Sequence, residues 1–384
     1  MNAVGIIAEY NPFHNGHLYH LEKIKEMFPN YTYVLVLSGH FMQRGETSII
    51  NKWDKTKLAL LYGVDLVIEL PYPFATQSAD FFAKGSIQIL KALGVNSLVF
   101  GSETNDIEQL YKIADTQLND VEYKKLVKKH LNEGTSYKSA LTKAVEILTK
   151  VDINAPNDIL GVSYIKEIIK QEADITPFTI KRTNDYHGLD TGDKIASATS
   201  IRLSLKKNET INNFVPTETY NSLQNKLFFI EDYYPYLKYQ ILNNMNNLNK
   251  FQTVEEGIEN RIKKYIVESD SLEELIEKVK TKRYTYNKLR RMFTHILCNF
   301  TKEEADFFKD VRYLRILGFS KVGRKYLNSI KKKINLTIVS NFSNCDDLML
   351  DLEFRTTCVY ASTLPEDQKV DLIEAEYKNS PIKI

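Results

Sequence analysis

Cysteine, tryptophan and long apolar runs are what this 384-residue chain has least of: three Cys, one Trp and no uninterrupted apolar stretch of 18 residues. Cys298, Cys345 and Cys358 are odd in number and follow no ligand-like spacing. That excludes a disulfide scaffold and a cysteine-rich metal site, and suits a reducing cytoplasm. No run is long enough to span a membrane. The first strand-like run begins almost at Met1, which leaves no space for a secretory leader. Hydrophobic residues at 43% and charged residues at 26% are ordinary for a globular protein of two or three domains.

Net charge is also scarce, only +2 overall, so a nucleic-acid surface has to be local. Residues 281–333 hold fifteen Lys or Arg against four Asp or Glu, an excess of eleven, and the remainder of the chain is about nine negative. Arg290, Arg291, Lys321, Arg324 and Lys325 belong to this stretch. Tyr284, Tyr286, Phe293, Tyr313, Phe319 and Tyr326 are interleaved with it. Basic residues mixed with aromatics point to RNA; solvated helix faces are the plainer alternative.

The chemistry starts near the amino terminus. The apolar run 3–8 meets a proline-marked turn, and that turn opens a helix at His14-Asn15-Gly16-His17. Two imidazoles three residues apart lie on one face of a first helical turn, beside its free N–H groups and positive dipole end. Such a place suits a polyphosphate, and Gly16 lets backbone approach it. A solvated turn with two histidines is the alternative. A metal site is the less favoured reading, since no Cys stands nearby.

Strand-like and helix-like runs then alternate. Strands are expected at 31–37, 65–71, 97–101 and 178–182, with helices at 53–62 and 78–93. This is an α/β pattern: a parallel, Rossmann-like sheet whose ligands bind beyond the carboxyl ends of its strands. A charged amphipathic stretch at 107–150 reads as inserted helices. Pro156 opens another helix, with Asn157 or Asp158 as its cap. A loop at 188–194 leads to Ile195-Ala-Ser-Ala-Thr-Ser-Ile-Arg202, where Ser197, Thr199, Ser200 and Arg202 cluster at a helix start. That is a second phosphate-friendly end, or plain hydroxyl capping. The division expected is 1–210 for the sheet domain and 211–384 for a mainly helical, basic α+β domain. Late strands are expected at 334–339, 348–354 and 356–361.

Two motifs in this order, His14-x-x-His17 and Ile195–Arg202, resemble the HxGH nucleotidyltransferase superfamily. The runs 6–18, 38–46 (Ser-Gly-His-Phe-Met-Gln-Arg-Gly-Glu), 77–80, 101–103 and 156–158 resemble, over the whole chain, the tRNA(Met) cytidine acetate ligase family. The resemblance implies a cytoplasmic enzyme that uses ATP, with Mg2+ as its counter-ion. It implies that acetate is activated as acetyl-adenylate and passed to the wobble cytidine of elongator tRNA(Met), giving N4-acetylcytidine. His14 and His17 are then catalytic. The ATP cradle is Ile7, Ala8, Glu9, Tyr10, Asn11, Pro12, Phe13, His14, Asn15, Gly16, His17, Leu18, Tyr19 and His20, completed by Gly101, Asn157 and Arg182. Ser197, Thr199, Ser200 and Arg202 hold phosphates. Arg290, Arg291, Lys321, Arg324 and Lys325 face the tRNA. No metal ligand set, membrane contact or oligomeric state is implied. Gln77 and Asp80 are candidates for the acetate pocket. Ala196 departs from the family's more usual serine there, which removes one hydroxyl. Two rivals remain: a small-molecule adenylyltransferase, which leaves the basic half without a task, and an RNA-binding protein with a vestigial nucleotide site.

Overall fold

Val34, Leu35, Val36 and Leu37 are wholly buried in one unbroken run, as a strand covered on both faces requires. Around it the chain builds a single mixed sheet. The structure is a computed structural model and describes residues 1–135, 137–151, 153–182 and 195–384. The expected 188–194 loop lies outside the described residues.

The first half runs β1 (Ala3–Ala8), α1 (Asn15–Met27), β2 (Thr32–Ser38), α2 (Lys52–Leu61), β3 (Leu66–Leu70), α3 (Tyr72–Ala75), α4 (Ala79–Ala92) and β4 (Ser97–Ser102). Helices α5 (Ile107–Asn119), α6 (Val121–Asn132) and α7 (Tyr137–Thr149) fill the charged stretch, as expected. Then come α8 (Pro156–Lys170), β5 (Thr176–Lys181), α9 (Ala198–Lys206) and α10 (Thr217–Ser222). The second half supplies α11 (Tyr234–Asn243), α12 (Ile258–Tyr265), α13 (Leu272–Val279), α14 (Tyr286–Leu297) and α15 (Lys302–Phe307). It ends with β6 (Tyr313–Phe319), α16 (Lys321–Ile330), β7 (Thr337–Val339), α17 (Leu348–Ala361), α18 (Glu366–Lys378) and β8 (Ile382–Lys383).

Strand order is β5-β4-β1-β2-β3-β6-β7, with β8 also on β6. Strands β1 to β5 are mutually parallel, so their carboxyl ends share one rim. This confirms the α/β reading. Strand β6 joins antiparallel to β3, pairing Leu66 with Phe319 and Ile68 with Ile316. The sheet therefore continues across the division expected at about residue 210.

The strands expected at 348–354 and 356–361 are not strands. Both lie in α17. Its buried positions include Met349, Leu352, Glu353, Thr356, Thr357 and Tyr360, a helical spacing. The pattern is hidden from a hydrophobic count because Glu353, Thr356 and Thr357 are polar. They are buried with polar partners: Glu353 accepts from Tyr72 N–H, Thr356 donates to the Glu353 carbonyl and Thr357 donates to Glu376. The expected strand at 334–339 shortens to Thr337–Val339. Strand β6 is not evident in the sequence because the wholly buried Arg315 interrupts its apolar run.

Candidate active site

Glu9, His14 and Gly39 all follow the rim of the parallel strands. Between β1 and α1 the chain turns through Tyr10, whose φ of 47° is left-handed and costs a non-glycine residue about 1 kcal/mol. Packing holds it there. Tyr10 is buried, with its ring 4.8 Å from both Phe13 and His17. Asn11 pins the same turn: its amide donates to the Thr47 carbonyl at 3.1 Å and its Oδ1 accepts from Ile49 N–H at 2.7 Å.

His14 is the N-cap of α1. Its Nδ1 accepts from Gly16 N–H at 3.0 Å, while His17 Nδ1 accepts from His14 N–H at 3.3 Å. The rings stack at 3.8 Å. A Cβ on Gly16 would meet the His14 ring at 2.9 Å, so the close turn needs glycine. These bonds assign the proton of each imidazole to Nε2, which leaves two N–H donors side by side. Burial, with Arg182 and Arg202 nearby, holds His14 down to about 3. Burial pushes His17 well down as well, and His20 to about 4. All three are neutral at pH 7.

The second motif sits across Gly16, since Ile195 Cγ2 lies 3.5 Å from where its Cβ would be. Ser197 caps α9 by accepting from Ser200 N–H at 3.1 Å; Ser197, Thr199 and Ser200 are exposed. Ala196 packs its methyl against a satellite core that includes Ile49, Leu58 and Ile201. Arg202 donates to the Asn11 carbonyl at 2.7 Å and pairs with Glu46. It therefore ties the second motif to the first.

Further along the rim, Glu103 and Asp158 clamp β4 to α8. Asp158 is buried and accepts from Glu103 N–H and Thr104 N–H, each at 3.1 Å, while Glu103 accepts from Asp158 N–H at 3.1 Å. Asn157 donates to Glu103. The expected cap is corrected here: Ala155 is the N-cap of α8, and Asn157 and Asp158 lie inside its first turn. Arg182 follows β5, and its stem lies 3.2 Å from where a Gly101 Cβ would be. Asp80 is committed to α8, paired with Lys166 at 2.7 Å and accepting from Ser163 at 3.2 Å.

Nothing in the sequence singles out Lys55. It is buried, and its ammonium donates to the carbonyls of Glu9, Ser38 and Gly39 at 3.0, 2.7 and 2.9 Å. It fixes the ends of β1 and β2 from below. Burial lowers it to about 7 against the pull of Glu9 and Glu69. Glu46 falls in the run 38–46, but the sequence gives it no role either. A lysine or glutamate on the polar side of a loop or helix looks solvated in sequence, which is why neither stands out.

The basic stretch is not one surface. Arg290 and Arg291 on α14 are half-buried, and Arg290 is held by Glu46 and Glu231. Lys321, Arg324 and Lys325 on α16 are exposed. Because β6 runs against β3, α16 begins at Asp65, where Ser320 caps it and donates to Asp65 at 2.6 Å. That is the sheet end opposite the rim, a strand length of roughly 17 Å away. The structure thus brings together the two motifs and Arg290, but not α16. Tyr284, Phe293, Tyr313 and Tyr326 are core residues, so they stack on no base in this state.

Parallel strands with a paired-imidazole helix start and a second, hydroxyl-rich helix start beyond their carboxyl ends are the arrangement a nucleotidyltransferase site requires. A family model described as HIGH Nucleotidyl Transferase matches residues 1–374. Among curated relatives, the tRNA(Met) cytidine acetate ligase of Geobacillus sp. (strain WCH70) is 40% identical, covering 100% of both chains. That of Caldicellulosiruptor saccharolyticus is 42% identical over 100% of this chain and 99% of its own. The crystal structure of Thermotoga maritima TmcAL bound with alpha-thio ATP matches with a TM-score of 0.91 at 32% identity, covering 100% of both chains. The chain belongs to the HIGH nucleotidyltransferases and, within them, to the tRNA(Met) cytidine acetate ligase family. No helix among the described residues is long and apolar enough to cross a membrane.

Proposed function

We propose that this chain is an ATP-dependent ligase that acetylates N4 of the wobble cytidine of elongator tRNA(Met) in the cytoplasm. The observation that carries the reading is the pair of neutral imidazoles at the α1 start, facing the α9 start across Gly16. ATP lies on the β1–α1 turn with its phosphates between these helix starts, and Mg2+ arrives with it. Residues 7–20 with Gly101, Asn157 and Arg182 cradle the nucleotide; Ser197, Thr199, Ser200 and Arg202 serve its phosphates.

Acetate is an anion at neutral pH and needs no base to become a nucleophile. One of its oxygens attacks the α-phosphorus; the bond to the bridging oxygen breaks and pyrophosphate leaves. The Nε2–H donors of His14 and His17 stabilise the charge that gathers on the phosphoryl oxygens. Neutral donors suit this step, because they neither lose a proton nor trap the product by full charge pairing. The cytidine amine then attacks the acetyl carbonyl, losing a proton as AMP departs. The base has to be splayed from the anticodon loop to reach the rim.

We further propose that residues 1–210, with the 107–150 helices, bind ATP, and that residues 211–384 carry the tRNA through Arg291 and the α16 cations. Nucleoside mass spectrometry of bulk tRNA from cells with and without the gene tests the whole reading. N4-acetylcytidine should vanish with the gene; its persistence would refute the substrate.

A further inference from the structure

Arg290 looks, in sequence, like one of a pair of RNA-facing cations. Its surroundings give it other work. The side chain is 12% exposed and its guanidinium sits between two carboxylates: Nη1 is 3.0 Å from Glu46 Oε1, and Nη2 is 3.5 Å from Glu231 Oε1. The other oxygen of Glu46 pairs with Arg202, and the other oxygen of Glu231 lies 2.7 Å from Lys206 Nζ. The result is a chain of alternating charge, Lys206–Glu231–Arg290–Glu46–Arg202. It leaves α9, crosses to α14, and returns to α9 one turn earlier, since Arg202 and Lys206 are four residues apart on one helix face. Three cations meet two carboxylates, so one positive charge is left over.

The backbone is built for this contact. Gly45, which carries Glu46 into position, has a φ of 74°. A Cβ there would stand 2.5 Å from the carbonyl carbon of Arg290 and from Arg291 N, so only glycine fits. The Gly45 carbonyl accepts from Thr294 Oγ1 at 3.0 Å, a second tie to α14. The same loop returns to the rim, where Gln43 N–H donates to Glu9 at 2.6 Å.

We infer that Arg290 is a positioning residue of the adenylation site and not an RNA contact: it neutralises Glu46 so that Arg202 keeps a net positive charge toward the ATP phosphates. This rests on the reading that the phosphates lie between the α1 and α9 starts. Without Arg290, a half-buried carboxylate would oppose both Arg202 and the incoming polyanion. The loss falls on ATP capture, and it requires no tRNA.

The test is acetate-dependent exchange of pyrophosphate into ATP, with full-length protein and no tRNA. Arg290→Gln should raise KM for ATP about tenfold or more, the usual scale for removing a charged hydrogen bond, with kcat moved much less. Arg290→Lys should recover part of the loss. Adding Glu46→Gln to Arg290→Gln should recover most of it, because the unneutralised carboxylate is then gone; such non-additivity marks direct coupling. Glu46→Gln alone should lower KM for ATP. That single variant keeps the test open if Arg290→Gln folds poorly. A KM unchanged or raised in Glu46→Gln overturns the inference. So does an Arg290→Gln protein with normal exchange and a flattened salt dependence of tRNA binding, which would make Arg290 an RNA contact. If wild-type protein shows no acetate-dependent exchange, the proposed reaction fails, and this outcome is separate from any effect of Arg290.

Discussion

Each imidazole of the first motif spends its Nδ1 within the turn, which leaves Nε2 as its donor. His14 caps α1 with Nδ1, and in the proposed reaction its Nε2–H serves the phosphoryl oxygens. Removing the ring therefore costs fold and chemistry together, and a substitution that keeps only the cap separates them. His14→Ala should lose about 1 kcal/mol of stability with the cap, together with ~100- to 1000-fold in adenylation rate. His14→Asn should retain most of the stability and still lose the rate. Urea denaturation beside pyrophosphate exchange checks both. The low pKa values also set the acid response. In the unfolded chain an imidazole takes up a proton below about 6.5, while folded His14 and His20 stay neutral down to about 3 and about 4. Their contribution is complete above pH 6.5 and drains away as pH falls through that window, by at most about 1.36 kcal/mol per pH unit for each. Denaturation midpoints between pH 7 and 5 should fall less steeply in His14→Asn than in wild type. The two histidines are legible from their spacing. Their surroundings are not, because Lys55 and Glu46 reach the same rim only through three-dimensional packing.

Among the elements, those of regular period are legible. Strands β1 to β5 and the helices between them follow from apolar runs and Gly or Pro punctuation. Helix α17 resembles strands in sequence because its inward face contains Glu353, Thr356 and Thr357. The basic stretch looks like one surface because sequence proximity hides the reversal at β6, which sends α16 to the far end of the sheet. That geometry sharpens an expectation. Neutralising Lys321, Arg324 and Lys325 together should weaken tRNA binding and flatten its salt slope by roughly 0.7–0.9 for each phosphate no longer neutralised. Exchange without tRNA should survive, since α16 lies about a strand length from the rim. Filter binding across a salt series reads the first effect. If exchange falls as far as tRNA affinity, the separation of the two surfaces is wrong.

The whole molecule is joined at a buried charge cluster that no sequence pattern announces. Lys52, from the first half, lies 2.8 Å from Glu69 and 2.6 Å from Glu376, which comes from the last helix. Arg315 on β6 is 3.5 Å from Glu376, and all four side chains are buried. Burial, with the charge of Glu69 beside it, pushes the Glu353 carboxyl well up. Removing one partner strands the rest without solvent. Arg315→Met should destabilise the protein by roughly 3–5 kcal/mol. For the same reason residues 1–210 alone should lack a cooperative unfolding transition, because β3 would lose its β6 neighbour and Lys52 its Glu376. Circular dichroism during urea titration checks both.

The central claim is that the His14–His17 rim activates acetate with ATP before any tRNA is present. Pyrophosphate exchange measures it most directly. Labelled pyrophosphate should enter ATP only when acetate is added, at full rate without tRNA, and at a rate lower by ~100-fold or more in His14→Asn protein. Exchange that ignores acetate, requires tRNA, or persists at the wild-type rate in that variant would contradict it.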